Sequence, residues 1–229
     1  MTDSSILAPA DGMTQDDAAF PWPPAEDASI PAAFIRTWTE SLLRPTAFFR
    51  SLPVPGPIGG AFLYYLAIGI IVAAIDFAWR LGFTIIGLSA VGAFPLLHEL
   101  DLRFDFASPL LSFLFAPLGL LIGIGIAFPV IHVGLVISGG ARRGAGTTFR
   151  TLCYAYSPAL LGIIPVFGRL VGAVWMIVTA IIGLREAHRT DGWRAAFAVL
   201  APIAIVFALG ALLVFLGAIL AIRASVVGT

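Results

Sequence analysis

Apolar residues gather along this chain into five long runs, at about 58–79, 108–138, 149–167, 170–184 and 193–222, parted by short polar segments. A helix of ~20 apolar residues crosses the ~30 Å hydrocarbon core of a bilayer, and most of the runs come close to that length. A backbone in lipid must satisfy its own N–H and C=O groups, so the runs read as helices. The first is ended by Asp76 and Arg80, whose i, i+4 spacing suits an ion pair on one face, with Trp79 between them as an interfacial aromatic. The second exceeds one span and is divided by Pro109, Pro117 and Pro129, which places the crossing at about 115–137 and leaves 108–114 at the outer surface. Its Gly119, Gly123 and Gly125 form a small-residue seam suited to close helix contact. The third run contains Pro158 and Pro165, and Gly168-Arg169 makes a tight turn into the short fourth. Asp191 is placed to cap the fifth, which Pro202 kinks.

Two stretches outside these runs also carry a pattern. Residues 32–44 have helical periodicity, with Phe34, Ile35, Trp38 and Leu42 on one face and Arg36, Thr37, Glu40 and Arg44 on the other. Too short and polar to span, this stretch reads as an interfacial amphipathic helix ended by Pro45. Residues 81–97 are apolar but rich in glycine and proline, and they read as an outer interfacial or re-entrant segment rather than a sixth span.

Charge gives the runs a direction. All 13 basic residues are arginine, and the six segments flanking the runs hold 3, 2, 3, 1, 3 and 1 of them. Cytoplasmic loops retain positive charge, so the segments with three lie inside. The chain is therefore expected to cross five times, with its N-terminus cytoplasmic and its C-terminus outside. With 59% hydrophobic and 11% charged residues, the composition is that of an integral membrane protein. Six acids precede the first arginine, so residues 1–31, which also hold five prolines, read as a disordered acidic cytoplasmic tail and not as a signal peptide. No basic block exceeds Arg142–Arg143, which gives no sign of a nucleic-acid partner.

Candidate chemistry is sparse. Cys153 is the single cysteine and reads as plain packing. The sequence His98-Glu99-Leu100-Asp101-Leu102 opens like a zinc-protease motif but has leucine where the second histidine belongs. The topology sets His98, His132 and His188 at three depths, which argues against a shared metal. His132 alone lies within a run; hydrogen bonding to a carbonyl freed by Pro129 is the plain account of it. With Tyr154 and Tyr156 it makes up a candidate intramembrane polar site. The middles of the runs lack Asp, Glu and Arg, which disfavours an ion-coupled pump, and neither a nucleophile elbow nor a carboxylate pair is found. No cofactor is expected. Arg142, Arg143, Arg185, Arg189 and Arg194 converge on the inner face as a candidate lipid or partner contact.

The segment 144–202 resembles the Yip domain, the Ypt-interacting protein family of five-span membrane proteins. The resemblance is carried by Thr148-Phe149-Arg150 after a glycine-rich loop, Tyr154-Ala155-Tyr156-Ser157-Pro158, and Ile163-Ile164-Pro165 with Gly168. Trp175, the stretch from Gly183 to His188, and Trp193-Arg194-Ala195-Ala196 before Pro202 continue it. Upstream, Arg44-Pro45 followed by Phe48-Phe49 is similar to the bacterial form, so 44–215 is covered. Eukaryotic members interact with Rab GTPases; their D-L-Y-G-P signature is replaced here, where Asp101-Leu102 continues as Arg103-Phe104. The resemblance implies an all-α polytopic bundle with a tail at 1–31, an interfacial segment at 32–57, a five-helix domain at 58–222 and a short tail at 223–229. The expected role is a non-enzymatic scaffold or adaptor in a bacterial inner membrane, engaging lipids or other membrane proteins, with homo-oligomer formation left open. The alternative is translocation of lipid or a small solute.

Overall fold

The computed structural model describes residues 20–24, 29–93 and 107–227, and every regular element among them is helical. Helices α1 (Ile30–Leu43) and α2 (Pro45–Arg50) are followed by the long α3 (Ile58–Ala93). Then come α4 (Ala107–Leu114), α5 (Ala116–Ile137), α6 (Ala145–Ala155), a 3-10 helix (Ser157–Ile163), α7 (Phe167–His188) and α8 (Gly192–Val227). Proline sets several of these boundaries. Pro31, Pro45, Pro117 and Pro158 all stand at the first or second position of their elements, where the missing N–H costs no helical hydrogen bond. Pro129 and Pro202 lie inside α5 and α8, which run through them.

Among the described residues, four helices are long and apolar enough to cross a membrane: Ile58–Gly87, Ala116–Ile137, Phe167–His188 and Gly192–Ile219. Side-chain contacts give their directions. Along α3, Phe62 meets Phe149, Tyr64 meets Ser157 and Trp79 reaches Ile163, so α6 and the 3-10 helix rise beside α3 in the same direction. Asp76, high on α3, pairs with Arg169 at the start of α7, while His188 at its end meets Thr148. Helix α7 therefore descends. Tyr65 and Leu120 touch near the start of α5 and His132 meets Thr148 further along, so α5 descends as well.

The sequence reading departs from this fold in several places. The first apolar helix does not stop at Asp76–Arg80 but continues to Ala93. Residues 81–93 thus form neither a re-entrant loop nor a separate interfacial piece; 94–97 lie outside the described residues. Gly82, Gly87 and Gly92 each cost only about 1 kcal/mol in a helix, which weakens without breaking it. The charges taken to mark its end have another use, because Asp76 pairs across the bundle with Arg169 rather than within its own helix. The third apolar run is no uniform helix: α6 ends at Ala155 and the chain tightens into 3-10 geometry ahead of Pro165. The fourth is longer than expected, with α7 reaching His188.

Helix α1 presents Trp38 and Leu42 to the bundle, but Thr37 and Ser41 are buried too, so its polar face is narrower than the periodicity suggests. Helix α2 inserts Phe48 and Phe49, both essentially buried, against α7. Gly183 accommodates them, since a Cβ there would come within 3.1 Å of the Phe49 ring. Residues 20–24 also pack on the bundle. Phe20 lies against Phe48 and Tyr154, and Trp22 lies against Phe34 and Tyr64 while donating to Gly60 O at 2.7 Å.

Candidate functional site

The core is unusually polar where α1, α3, α6 and the 3-10 helix meet. Ser157 is its hub. Its hydroxyl donates to Tyr154 O at 2.7 Å and receives hydrogen bonds from Ser41 Oγ at 2.7 Å and Tyr64 OH at 2.9 Å. Its carbonyl accepts from Trp38 Nε1 at 3.1 Å. A buried hydroxyl offers one donor and two acceptor lone pairs, so Ser157 is saturated. Helix α1 is thereby latched to the site where Pro158 turns the α6 segment into a 3-10 helix. Trp175 Nε1, donating to Leu42 O, ties the end of α1 to α7.

A second hub links α5, α6 and α7. The Arg143 N–H donates to His188 Nδ1 at 3.2 Å, which leaves the His188 proton on Nε2. Nε2–H then donates to Thr148 Oγ1 at 2.9 Å, and the same hydroxyl is hydrogen-bonded with His132 Nδ1, also at 2.9 Å. His132 and His188 therefore share one threonine and do not sit at separate depths; His98 lies outside the described residues. Nor does His132 rely on a carbonyl freed by Pro129. Among the described residues no three His, Cys, Asp or Glu side chains cluster as metal ligands would.

The three residues proposed as an intramembrane polar site occupy separate surroundings. His132 bonds to Thr148 and stacks on Phe128. Tyr154 is buried among Phe20, Phe48 and Tyr64, and its hydroxyl donates to Trp22 O at 3.2 Å. Tyr156 packs on Tyr65, with ring centroids 4.8 Å apart. Thr148 and Ser157, which join these elements, both stand in stretches that carry the resemblance, 148–150 and 154–158, but nothing local in those stretches marks either as a hub.

Arg142 and Arg143 lie on the loop between α5 and α6, Arg189 on the turn between α7 and α8, and Arg185 and Arg194 in the helices flanking that turn; the loop and the turn touch. Arg142 Nη1 donates to Arg189 O at 2.9 Å, and Arg194 Nη1 donates to Gly139 O at 2.7 Å. Arg194 also faces Asp191 and Arg185 faces Glu186, which Arg50 approaches from α2. Arg143 contributes its backbone to the histidine relay. The turn between α7 and α8 holds Arg189 in left-handed geometry at φ 51°. Arg150, close in sequence to Arg142 and Arg143, is no loop residue: it is buried in α6, with its guanidinium where a Cβ on Gly56 would collide.

At the other end of the bundle a cavity of about 600 Å³ lies among α3, α4, α5, α6, α7 and α8. Its walls are mostly small or aliphatic side chains, and Asp76, Arg80 and Ser112 stand at one end. Gly119 and Gly123 face this space. A Cβ on Gly119 would meet nothing within 4 Å, and one on Gly123 only Tyr65 OH at 3.8 Å. The expected glycine seam is therefore not a helix contact. Close approach of α5 occurs instead at Gly134, where a Cβ would lie 2.9 Å from Ala198 Cα.

This arrangement of a proline-divided third segment, a Tyr-Ser-Pro hub and an arginine-lined α7–α8 turn coincides with a known domain. The profile of the Yip1 domain matches residues 39–220. The chain belongs to the Yip1 family. It is a multi-pass membrane protein whose family domain takes in both polar hubs, the cavity and the touching loops. Neither a curated protein nor a solved structure matches the chain.

Proposed function

We propose that this Yip1-family protein is a non-enzymatic scaffold of a bacterial inner membrane, crossing five times and engaging other membrane proteins through α8. The observation that carries the reading is the second half of α8. From Ala204 to Ala218 every residue is exposed, Phe207 and Val214 by 75% and 74%, although the helix's first turns are packed against α5 and α7. A span apolar on every side gains nothing from lipid that a partner helix could not improve by packing. Gly210 and Gly217, with open space around them, allow a partner's backbone to come close.

Five crossings are supported by the alternating directions of the helices together with the arginine alternation. The 11 residues of α6 and the 7 of the 3-10 helix extend about 30 Å at rises of ~1.5 and ~2.0 Å. That equals one hydrocarbon core of ~30 Å. Single cysteines in a Cys153→Ser background report sidedness with an impermeant thiol reagent; labelling of position 144 from outside refutes the topology. A photoreactive residue at position 213 in native membranes tests the scaffold. Discrete protein adducts that Gly210→Leu abolishes are expected, and adducts to lipid alone refute it. Lipid handling is the second reading, favoured by the apolar cavity.

A further inference from the structure

We infer that the cavity between α3 and α5 is a binding site for one acyl chain of a membrane phospholipid, with the phosphate held at Arg80. The inference is independent of the scaffold role. Three observations converge on it. The first is size: about 600 Å³ falls well inside the roughly 300–1,000 Å³ of ligand pockets. The second is shape and lining. The cavity follows α3 from Tyr65 to Arg80, about 22 Å at ~1.5 Å per residue, and below Asp76 its walls carry no charge. Tyr65, at the deep end, already spends its hydroxyl hydrogen on Leu120 O at 3.0 Å. Water there would find few of the two to four partners it needs, whereas a hydrocarbon chain needs none. The site lies among the membrane-crossing helices α3, α5, α7 and α8, so lipid tails are the apolar molecules at hand.

The third observation is the charge at the other end. Asp76 is engaged by Arg169 from outside the cavity, while Arg80 and Ser112 both line it. Arg169 offsets the Asp76 carboxylate, so Arg80, the cation in the cavity wall, with the Ser112 hydroxyl in the same wall, complements an anionic oxygen cluster. Arginine suits phosphate in particular, because its planar fork matches two oxygens at once. Glycine at 119 and 123 leaves the space open, and the same residues make it possible to close.

The intact protein in phosphatidylethanolamine vesicles is photolabelled with phosphatidylglycerol bearing a diazirine in mid-chain, and the adducts are mapped by mass. A free palmitate diazirine forms the second arm, which separates a phospholipid from a fatty acid. Adducts are expected on cavity residues such as Val72, Ala127 and Ile131. They should fall at least fivefold in Ala73→Leu/Gly123→Leu, which fills the cavity, while adducts on the exposed face of α8 persist. Gly125→Leu, whose Cβ meets nothing within 4 Å and which does not line the cavity, should label as the parent does. Arg80→Gln should weaken capture of phosphatidylglycerol severalfold. Labelling confined to exposed faces, or cavity adducts unchanged in the filled variant, overturns the site. Palmitate capturing the cavity as well as phosphatidylglycerol does, or no effect of Arg80→Gln, overturns the phosphate assignment.

Discussion

Replacing Ser157 by alanine tests whether the hub holds α1 on the bundle. The change removes three hydrogen bonds, but their losses differ. Ser41 keeps a partner, since its hydroxyl also reaches Trp38 O at 3.1 Å. Tyr64, fully buried, loses the hydroxyl it meets at 2.9 Å and keeps only Ser41 as a side-chain partner, which Trp38 O also engages. An orphaned buried hydroxyl costs about 1–3 kcal/mol, and side-chain hydrogen bonds between membrane helices are worth ~0.6 on average and up to ~1.7. Ser157→Ala should therefore destabilise by about 1–2 kcal/mol, or roughly 2–8 °C at the ~2–4 °C per kcal/mol of a chain this size. Tyr64→Phe should cost less, because Ser157 retains Ser41 and Tyr154 O. The double variant leaves neither side chain facing a lost partner, so it should be more stable than the sum of the single changes by about 1 kcal/mol. Reversible unfolding in mixed micelles with rising dodecyl sulfate measures all four proteins. Strict additivity, or no change in Ser157→Ala, would mean that the hub contributes packing only and that this account of it is wrong.

Other contacts yield further expectations. Thr148→Val should cut the relay between His188 and His132 and lower stability by about 1–3 kcal/mol, while Thr148→Ser should restore it; equal midpoints for valine and serine would refute this. Gly134→Val should push α5 from α8, because its Cβ meets backbone and not a mobile side-chain tip, at a cost of about 1–3 kcal/mol by the same unfolding assay; Gly125→Val should cost far less. Trp22→Ala should release residues 20–24, seen as faster proteolytic clipping of the N-terminal segment in vesicles, and an unchanged rate would show that the Trp22 contacts hold nothing.

Much of the fold is legible from proline. Pro45, Pro117 and Pro158 each mark a real boundary, because a missing N–H and a blocked φ act locally and need no partner. The end of α3 is not legible for the opposite reason. Asp76 and Arg80 look like an interface because charges in a membrane helix usually seek water, and only the arrival of Arg169 from 93 residues away gives Asp76 a partner within the bundle. The glycines of α5 show the same limit. Spacing tells which residues share a face, not whether that face meets a helix or a void. The two polar hubs were hidden because Thr148 and Ser157 find partners at separations of 40 and 116 residues, beyond the reach of any local pattern.

The third apolar run joins these threads. By helical length and hydropathy it does not stand among the membrane-crossing segments, yet the arginines on either side of it call for a crossing. Under the proposed five-span topology, distance and not residue count decides whether this segment reaches across. A 3-10 helix rises faster than an α-helix, so a broken segment of 19 residues covers what a straight α-helix of about 20 covers. Breaking it frees backbone carbonyls, and these are the groups that the bundle uses. Ser157 takes Tyr154 O, Trp38 takes Ser157 O, and Trp79 takes Ile163 O. Prolines that would weaken an isolated span thus create the acceptors by which α1 and α3 are held. That explains why irregular backbone is tolerated here: side chains of α1 and α3 satisfy carbonyls at both ends of the 3-10 helix.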